Sequence, residues 1–353
     1  MTATDVFDAY VHTDPGTLRG DSGKPYLVEG RCAHRRTQLS AGWVEGDCLR
    51  CRYHGWKYDE TGQCIEQPGL EEEGGFWDKV KITSYPTHEY LGLIFTYMGE
   101  GDPPPFLRHR DMEEEGVLEV GIPEYWPCNY FNRLDNASDG AHMAWTHRES
   151  MSRVGRVLKT PNMREAVETN YGLRSKSAGY GQGAHYVHLH WPNTNQNLTA
   201  VRIEGSLEDA KHLITNRIFW RVPVNDGKCV SFVVDNLPLK GDAAKAYVER
   251  RKNAEQSDAD LHQIGEAILT GKMRIQDIDK GMSLYKLFWI EDYVVQCGQG
   301  LIADRVTERP SPLDRGTLMI RKLYEREISR MAAGLPLKEW TEASNLVHDE
   351  PED

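Results

Sequence analysis

Between residues 32 and 56 the chain reads CAHRRTQLSAGWVEGDCLRCRYHGW, which places three cysteines and two histidines within 25 positions. Thiolates and imidazoles at this density bind transition metals. Two donor sets run through the stretch. One is the CxxC of Cys48 and Cys51, a spacing that serves zinc or a dithiol redox pair. The other joins Cys32-x-His34 to Cys51-x-x-His54, with sixteen residues between His34 and Cys51. Each half then supplies one thiolate and one imidazole from a short loop. This order is not the usual zinc-finger order, in which both cysteines come first. It suits a [2Fe–2S] cluster with two Cys on one iron and two His on the other. Neutral imidazoles in place of thiolates raise the reduction potential of such a cluster.

A cluster alone leaves most of the chain without a role. The stretch LDNASDGAHMAWTHRES supplies one, as Asp135-x3-Asp139-x2-His142-x4-His147. The pattern predicts a helix over 135–148 with Asp139 and His142 on one face. His147 lies five beyond His142, so it needs a helix end or bend to meet the same metal. Two imidazoles and a carboxylate form the facial triad of non-haem Fe(II) oxygenases, which leaves positions open for O2 and substrate. The carboxylate must come from far along the chain, where WIEDYVVQCGQG (289–300) offers Glu291 and Asp292. On a helix Asp292, Gln296 and Gln299 share a face and Glu291 points elsewhere. His185, His188 and His190 are a competing group. On a strand His188 and His190 point the same way, for a metal, for substrate hydrogen bonds or for packing.

The elements that must position these donors change character along the chain. PYLVEG (25–30), WKYDETG (56–62) and EYLGLIFTYM (89–98) read as short strands joined by turns, so the first part is all-β. GEGDPPPFLRHRD (99–111) is the boundary, three prolines in a polar, Gly-containing stretch. It gives domains 1–105 and 106–353. Strand-like runs follow at 185–191, 197–205, 212–224 and 229–237, then helices at 241–256, 259–272, 285–299 and 315–333. In the last helix Ile320, Leu323, Tyr324, Ile328 and Met331 fall on one face, and Gly334 sits where a C-terminal cap belongs. A meander of strands flanked by helices is an α+β arrangement.

Composition narrows the function classes. With 39% apolar and 27% charged residues, the 353-residue chain reads as globular. The net charge of −12, from 42 Lys plus Arg against 54 Asp plus Glu, argues against nucleic acid or an anionic membrane as the main partner. MTATDVFDAY carries Asp5 and Asp8 and no basic residue, unlike a signal peptide. The longest apolar run, YLGLIFTYMG (90–99), is too short to span a bilayer. A cytoplasmic location is expected. Reduced thiols follow, so the seven cysteines are metal ligands or buried residues rather than disulfides. Cys48, Cys64, Cys128, Cys229 and Cys297 are assigned as small buried residues.

CAHR and CRYHGWKYDETGQC resemble the two cluster loops of Rieske-type oxygenases nearly residue for residue, including Gly55-Trp56 after the last histidine. The 135–147 spacing is similar to the iron motif of the same family, with the Asp-Asn start of its phthalate-dioxygenase-like branch. The segment from Trp289 resembles the family helix whose Asp completes the iron site in an ED…Q…G setting. That setting matches Asp292 and leaves Glu291 as the fallback. The resemblance to the α subunit of aromatic-ring-hydroxylating oxygenases runs from about residue 19 to MAAGLPLKEW (331–340). It does not include MTATDVFDAYVHTDPGT, where family members carry further strands before the first loop.

The resemblance implies an all-β Rieske [2Fe–2S] domain and then a helix-grip (START-like) catalytic domain with a large antiparallel sheet, α+β as a whole. It implies Cys32, His34, Cys51 and His54 on the cluster and His142, His147 and Asp292 on a mononuclear Fe(II). Asp139 then bridges His142 and a cluster histidine, matching His54, of the neighbouring copy in an α3 homotrimer. Electrons would come from NAD(P)H through a separate reductase or ferredoxin. GYGQGAH (179–185) is not GxGxxG, which supports the separate reductase. O2 would hydroxylate, dihydroxylate or demethylate an aromatic or similarly hydrophobic substrate. The competing readings are a Rieske electron-transfer or redox-sensing protein with a ligand-binding C-terminal domain, and a zinc-stabilised binding module. The intact His142, His147 and Asp292 set argues against the first of them.

Overall fold

The computed structural model describes residues 19–70, 75–99, 101–155, 157–178, 184–201, 213–252, 261–343 and 346. The start of the chain, GYGQG (179–183), the end of the 197–205 run and the stretch beyond residue 252 of the 241–256 helix lie outside them. The chain divides into two compact units, Met1–Phe106 and Leu107–Asp353.

The first unit is built from short antiparallel strands. β1 (Leu27–Val28) pairs with a strand at Ser84–Tyr85, and a meander runs through β2 (Trp43–Glu45), β3 (Cys48–Arg50), β4 (Lys57–Tyr58) and β5 (Cys64–Glu66). EYLGLIFTYM is not one strand but the second half of a hairpin, Thr87–Tyr90 against Leu93–Thr96. Leu91 and Gly92 have φ of 52° and 78°, the left-handed pair that a two-residue hairpin turn requires. Val28, Leu39, Trp56, Tyr58 and Ile82 close a small core around Cys32, Cys51 and Cys64. Cys48 is only half-buried, in β3 opposite Glu45.

The second unit carries an eight-stranded antiparallel sheet. Numbering on from the first unit's eight strands, these are β9 (Val117–Val120), β10 (Glu124–Trp126), β11 (Asn162–Glu168), β12 (Gly172–Ala178), β13 (Ala184–His190), β14 (Thr194–Val201), β15 (Leu213–Asn225) and β16 (Lys228–Leu237). The order is β10-β16-β15-β14-β13-β12-β11, with β9 also on β16. Sequence periodicity missed β11 and β12 because NMREAVE and GLRSKSA carry charged side chains among their apolar ones.

The helices α1 (Tyr130–Ala137), α2 (His142–Thr146), α3 (Arg148–Arg153), α4 (Gly241–Lys252), α5 (Leu261–Leu269), α6 (Leu284–Cys297) and α7 (Arg315–Ala332) complete the unit. Leu134 of α1 and Ile320, Leu323 and Tyr324 of α7 pack on Leu173 and Leu189 of the sheet. α6 builds a second core with Trp126, Cys128, Cys229 and Leu261. The 135–148 helix is broken: α1 stops at Ala137, and Asp139 lies between helices rather than on a helical face with His142. In α7, Ile328 and Met331 are 55% and 64% exposed, and the inward line continues through Glu327 instead. That carboxylate accepts a bond from the Lys338 N–H at 3.0 Å, so the returning chain covers the position. Gly334 takes φ of 67° past the helix end, as its capping role requires. No helix among the described residues is long and apolar enough to cross a membrane.

Candidate metal centres

The two loops of the first unit share one construction. Cys32 N–H donates to the Thr37 carbonyl and Arg36 N–H to the Cys32 carbonyl, each at 2.9 Å. Cys51 N–H likewise donates to the Trp56 carbonyl at 2.9 Å, and Gly55 N–H to the Cys51 carbonyl at 3.0 Å. The fifth residue of each loop, Arg36 or Gly55, is left-handed, at φ of 60° and 74°. At Gly55 a Cβ would sit 2.9 Å from Pro68 Cγ, so conformation and space both call for glycine.

The loops put Cys32 and Cys51 inside, each 1% exposed, and His34 and His54 at the surface with ring centroids 4.5 Å apart. His34 stacks on Trp56. Burial first, then the charges of His54 and Arg35, holds the His34 imidazole below its usual pKa. Burial pushes the Cys32 thiol up. Tyr58 opposes this: its oxygen accepts the Ala33 N–H at 3.1 Å, leaving its own proton for Cys32 Sγ, also at 3.1 Å. Two inward sulfurs and two outward nitrogens suit a group with a buried and an exposed iron.

In the second unit His142, His147 and Asp292 do close on one point, with one donor atom from each lying within 4.8 Å of the others. They are the one such group of three among the described residues. Asp139 forms the turn that starts α2, its Oδ1 accepting the Ala141 and His142 N–H groups at 2.9 and 3.4 Å. Its carbonyl takes the proton of His142 Nδ1, so Nε2 carries the lone pair. Asn136 Nδ2 is 3.3 Å from that Nε2. α2 ends at Thr146, and His147 sits in the bend the spacing demanded, at φ −91° and ψ 24°. His147 Nε2 lies 3.6 Å from Asp292 Oδ1, a buried oxygen with no hydrogen-bond partner. An orphaned carboxylate oxygen facing two imidazole nitrogens fits a divalent cation such as iron.

Glu291 does not point away. Fully buried, it accepts His147 Nδ1–H at 3.0 Å, Ser150 N–H at 3.0 Å and Ser150 Oγ–H at 2.7 Å. It therefore fixes the His147 tautomer that turns Nε2 toward Asp292. The adjacent Glu-Asp pair was the signal: the sequence offers it as a choice of ligand, and the structure sets Asp292 with His142 and His147 and puts Glu291 behind His147. Asp135 pairs with Arg305 at 2.8 Å and Arg321 at 2.7 Å, and Glu308 bridges the same two arginines, tying the end of α1 to α7. His188 and His190 do share a face, bonded to Tyr171 at 2.8 Å and Gln196 at 3.0 Å. It is the face opposite Leu189, which meets α1 and α7.

Residues 7–86 match the Rieske [2Fe-2S] domain, a match that reaches further toward the N-terminus than the sequence resemblance did. The chain is 27% identical over 336 residues to the 5,5'-dehydrodivanillate O-demethylase oxygenase subunit of a Sphingobium species, covering 89% of this chain and 69% of that protein. It is 25% identical over 333 residues to the phthalate 4,5-dioxygenase oxygenase subunit of Pseudomonas putida, covering 90% and 75%. The chain carries a Rieske [2Fe-2S] domain and is homologous over most of its length to oxygenase subunits of Rieske systems. Its fold is that of solved oxygenases. NdmA of Pseudomonas putida CBB5 aligns with a TM-score of 0.61 at 18% identity, over 95% of this chain and 90% of that one. Dicamba monooxygenase aligns at 0.58 and 17%, over 89% and 90%. An oxygenase, not an electron carrier or a redox sensor, is thus the activity class.

Proposed function

We propose that the protein is the terminal oxygenase of a multicomponent system acting on an aromatic or similarly hydrophobic substrate. Its electrons originate on NAD(P)H and arrive through a separate reductase or ferredoxin. The observation that carries this reading is the convergence of His142, His147 and Asp292, with a buried carboxylate oxygen that has no other partner. We assign these three to a mononuclear Fe(II), and Cys32, His34, Cys51 and His54 to the cluster. When bound, the cluster supplies single electrons and the iron a site where O2 meets substrate.

The chain's own residues orient these ligands. Glu291 holds His147 and the Asp139 carbonyl holds His142, each with Nε2 forward. We assign Asp139 the electron-linking role in a cytoplasmic α3 homotrimer. Relatives named as an aromatic O-demethylase, dioxygenase and monooxygenase support aromatic chemistry and leave hydroxylation, dihydroxylation and demethylation as the reaction types.

The test is Asp292→Ala, purified with its cluster. The variant is expected to lose the mononuclear iron and all product formation with a surrogate reductase, while keeping the red-brown colour and the reduced-state EPR signal. Full iron occupancy in the variant removes Asp292 from the site. Zinc in place of iron in the wild-type protein ends the reading.

A further inference from the structure

The donors His142, His147 and Asp292 come from two segments far apart in sequence, the stretch around α2 and α3 and the helix α6. α6 grips His147 with three side chains. Phe288 stacks on its ring with 4.1 Å between centres, Glu291 accepts its Nδ1–H at 3.0 Å, and Asp292 Oδ1 lies 3.6 Å from its Nε2. Glu291 also takes the N–H and the hydroxyl of Ser150, so α3 meets α6 within its first turn. One attachment near the start of a short helix leaves that helix free to pivot about it.

Arg153 supplies a second attachment. It is the last residue of α3, and its guanidinium reaches the chain that leads into α6. Nη1 donates to the Asp279 carbonyl at 3.0 Å and Nη2 to the Ile278 carbonyl at 3.2 Å. Longer bonds of 3.4 Å run from Nη1 to the carbonyls of Lys280 and Met282. A planar fork spans several carbonyls at once, which a single ammonium does not. The Asp279 carboxylate serves its own turn instead, its Oδ1 accepting the Gly281 N–H at 2.9 Å. The loop is itself anchored to α6, since Ile278 is buried with Leu287 and Ile290 and Met282 packs against the same core. Ser283 then opens α6, its side chain accepting the Lys286 N–H at 3.4 Å. α3 is thus held at two points, Ser150 on Glu291 and Arg153 on 278–282. Two points remove the pivot that one leaves.

We propose that Arg153 is a positioning residue of the mononuclear iron site, locking α3 to the loop before α6 so that His147 and Asp292 keep their separation before the metal arrives. The proposal rests on the assignment of His142, His147 and Asp292 to iron and adds a determinant of affinity that acts through the loop rather than on the ligands themselves. Ligands already in place bind without first being ordered. Ligands on two segments that shift against each other must be ordered by the metal itself, at a cost in affinity. The loss falls mainly on how fast the metal leaves.

The experiment follows Fe(II) on the cluster-loaded protein, as the rate at which a chromogenic chelator strips it, at temperatures well below unfolding. Arg153→Met keeps most of the stem and drops every donor. It is expected to lose iron about tenfold faster than the wild type, with the visible spectrum of the cluster unchanged. Arg153→Lys, which keeps the charge and loses the fork, is expected to recover part of that difference, and it carries the test should Arg153→Met fail to fold. Iron loss at the wild-type rate from every variant that folds overturns the proposal. So does faster loss that only tracks the unfolded fraction as temperature is raised, because Arg153 would then support the fold and not the site. Asp292→Ala in the same assay tests the underlying assignment separately. Fe(II) held by that variant as firmly as by the wild type removes the assignment, whatever the Arg153 variants do.

Discussion

At the scale of single residues, the side chains behind the ligands decide whether the ligands work. Glu291 is the clearest case, since a metal-binding imidazole needs its other nitrogen held and its tautomer set. Glu291→Gln keeps the shape but offers an amide where a carboxylate accepted three bonds. Iron(II) affinity is expected to fall by about 10- to 100-fold, read by titrating the apo site, while the visible spectrum of the cluster stays unchanged. An unaltered affinity would mean that His147 is oriented by other means. Tyr58 plays the corresponding part at the cluster. A hydrogen bond to a ligand sulfur stabilises the reduced, more negative state, so removing the donor lowers the potential. Tyr58→Phe is expected to shift the midpoint downward on the order of tens of millivolts in a redox titration. No shift would show that the hydroxyl does not donate to Cys32 Sγ.

At the scale of elements, the chemistry was more legible in the sequence than its scaffolding. The cluster loops and the His pair follow from spacing, because each sits within one short segment. Glu291 does not, because its role depends on contacts between α6 and the segment from His147 to Ser150, far apart in sequence. The broken 135–148 helix shows the same limit. The Asp139 side chain accepts the Ala141 N–H in the turn before α2, and that local bond competes with a continuous helix in a way periodicity does not register. Helix packing is equally silent in sequence. Gly265 of α5 lets Tyr293 of α6 approach so closely that a Cβ there would lie 2.4 Å from Tyr293 Cδ1. Tyr293 follows Asp292 directly, so α5 sets the depth of the metal-bearing helix. Gly265→Ala is expected to cost about 1–3 kcal/mol in denaturant unfolding and to lower iron occupancy at the triad. A neutral result would mean that α5 moves away without disturbing α6.

At the scale of the molecule, each proposed centre has all its assigned donors in one unit. Cys32 to His54 fall within Met1–Phe106, and His142 to Asp292 within Leu107–Asp353. The two units also have separate cores, one around Tyr58 and Ile82, the others around Tyr293 and Leu134. A metal that binds the folded unit and not the unfolded chain stabilises that unit by mass action. Loading one centre should therefore strengthen one unit and leave the other as it was, and a two-unit chain need not unfold in one step. Chelating the mononuclear iron is expected to lower the unfolding temperature seen by tryptophan fluorescence, since six of the nine tryptophans, Trp126, Trp220 and Trp289 among them, lie in the second unit. The temperature at which the cluster absorption bleaches should stay put. Cys51→Ser, which removes one of the thiolates assigned to the cluster, is expected to do the reverse and leave iron binding intact. Chelation that moved the bleaching temperature by as much as the fluorescence transition would show instead that the two units unfold as one.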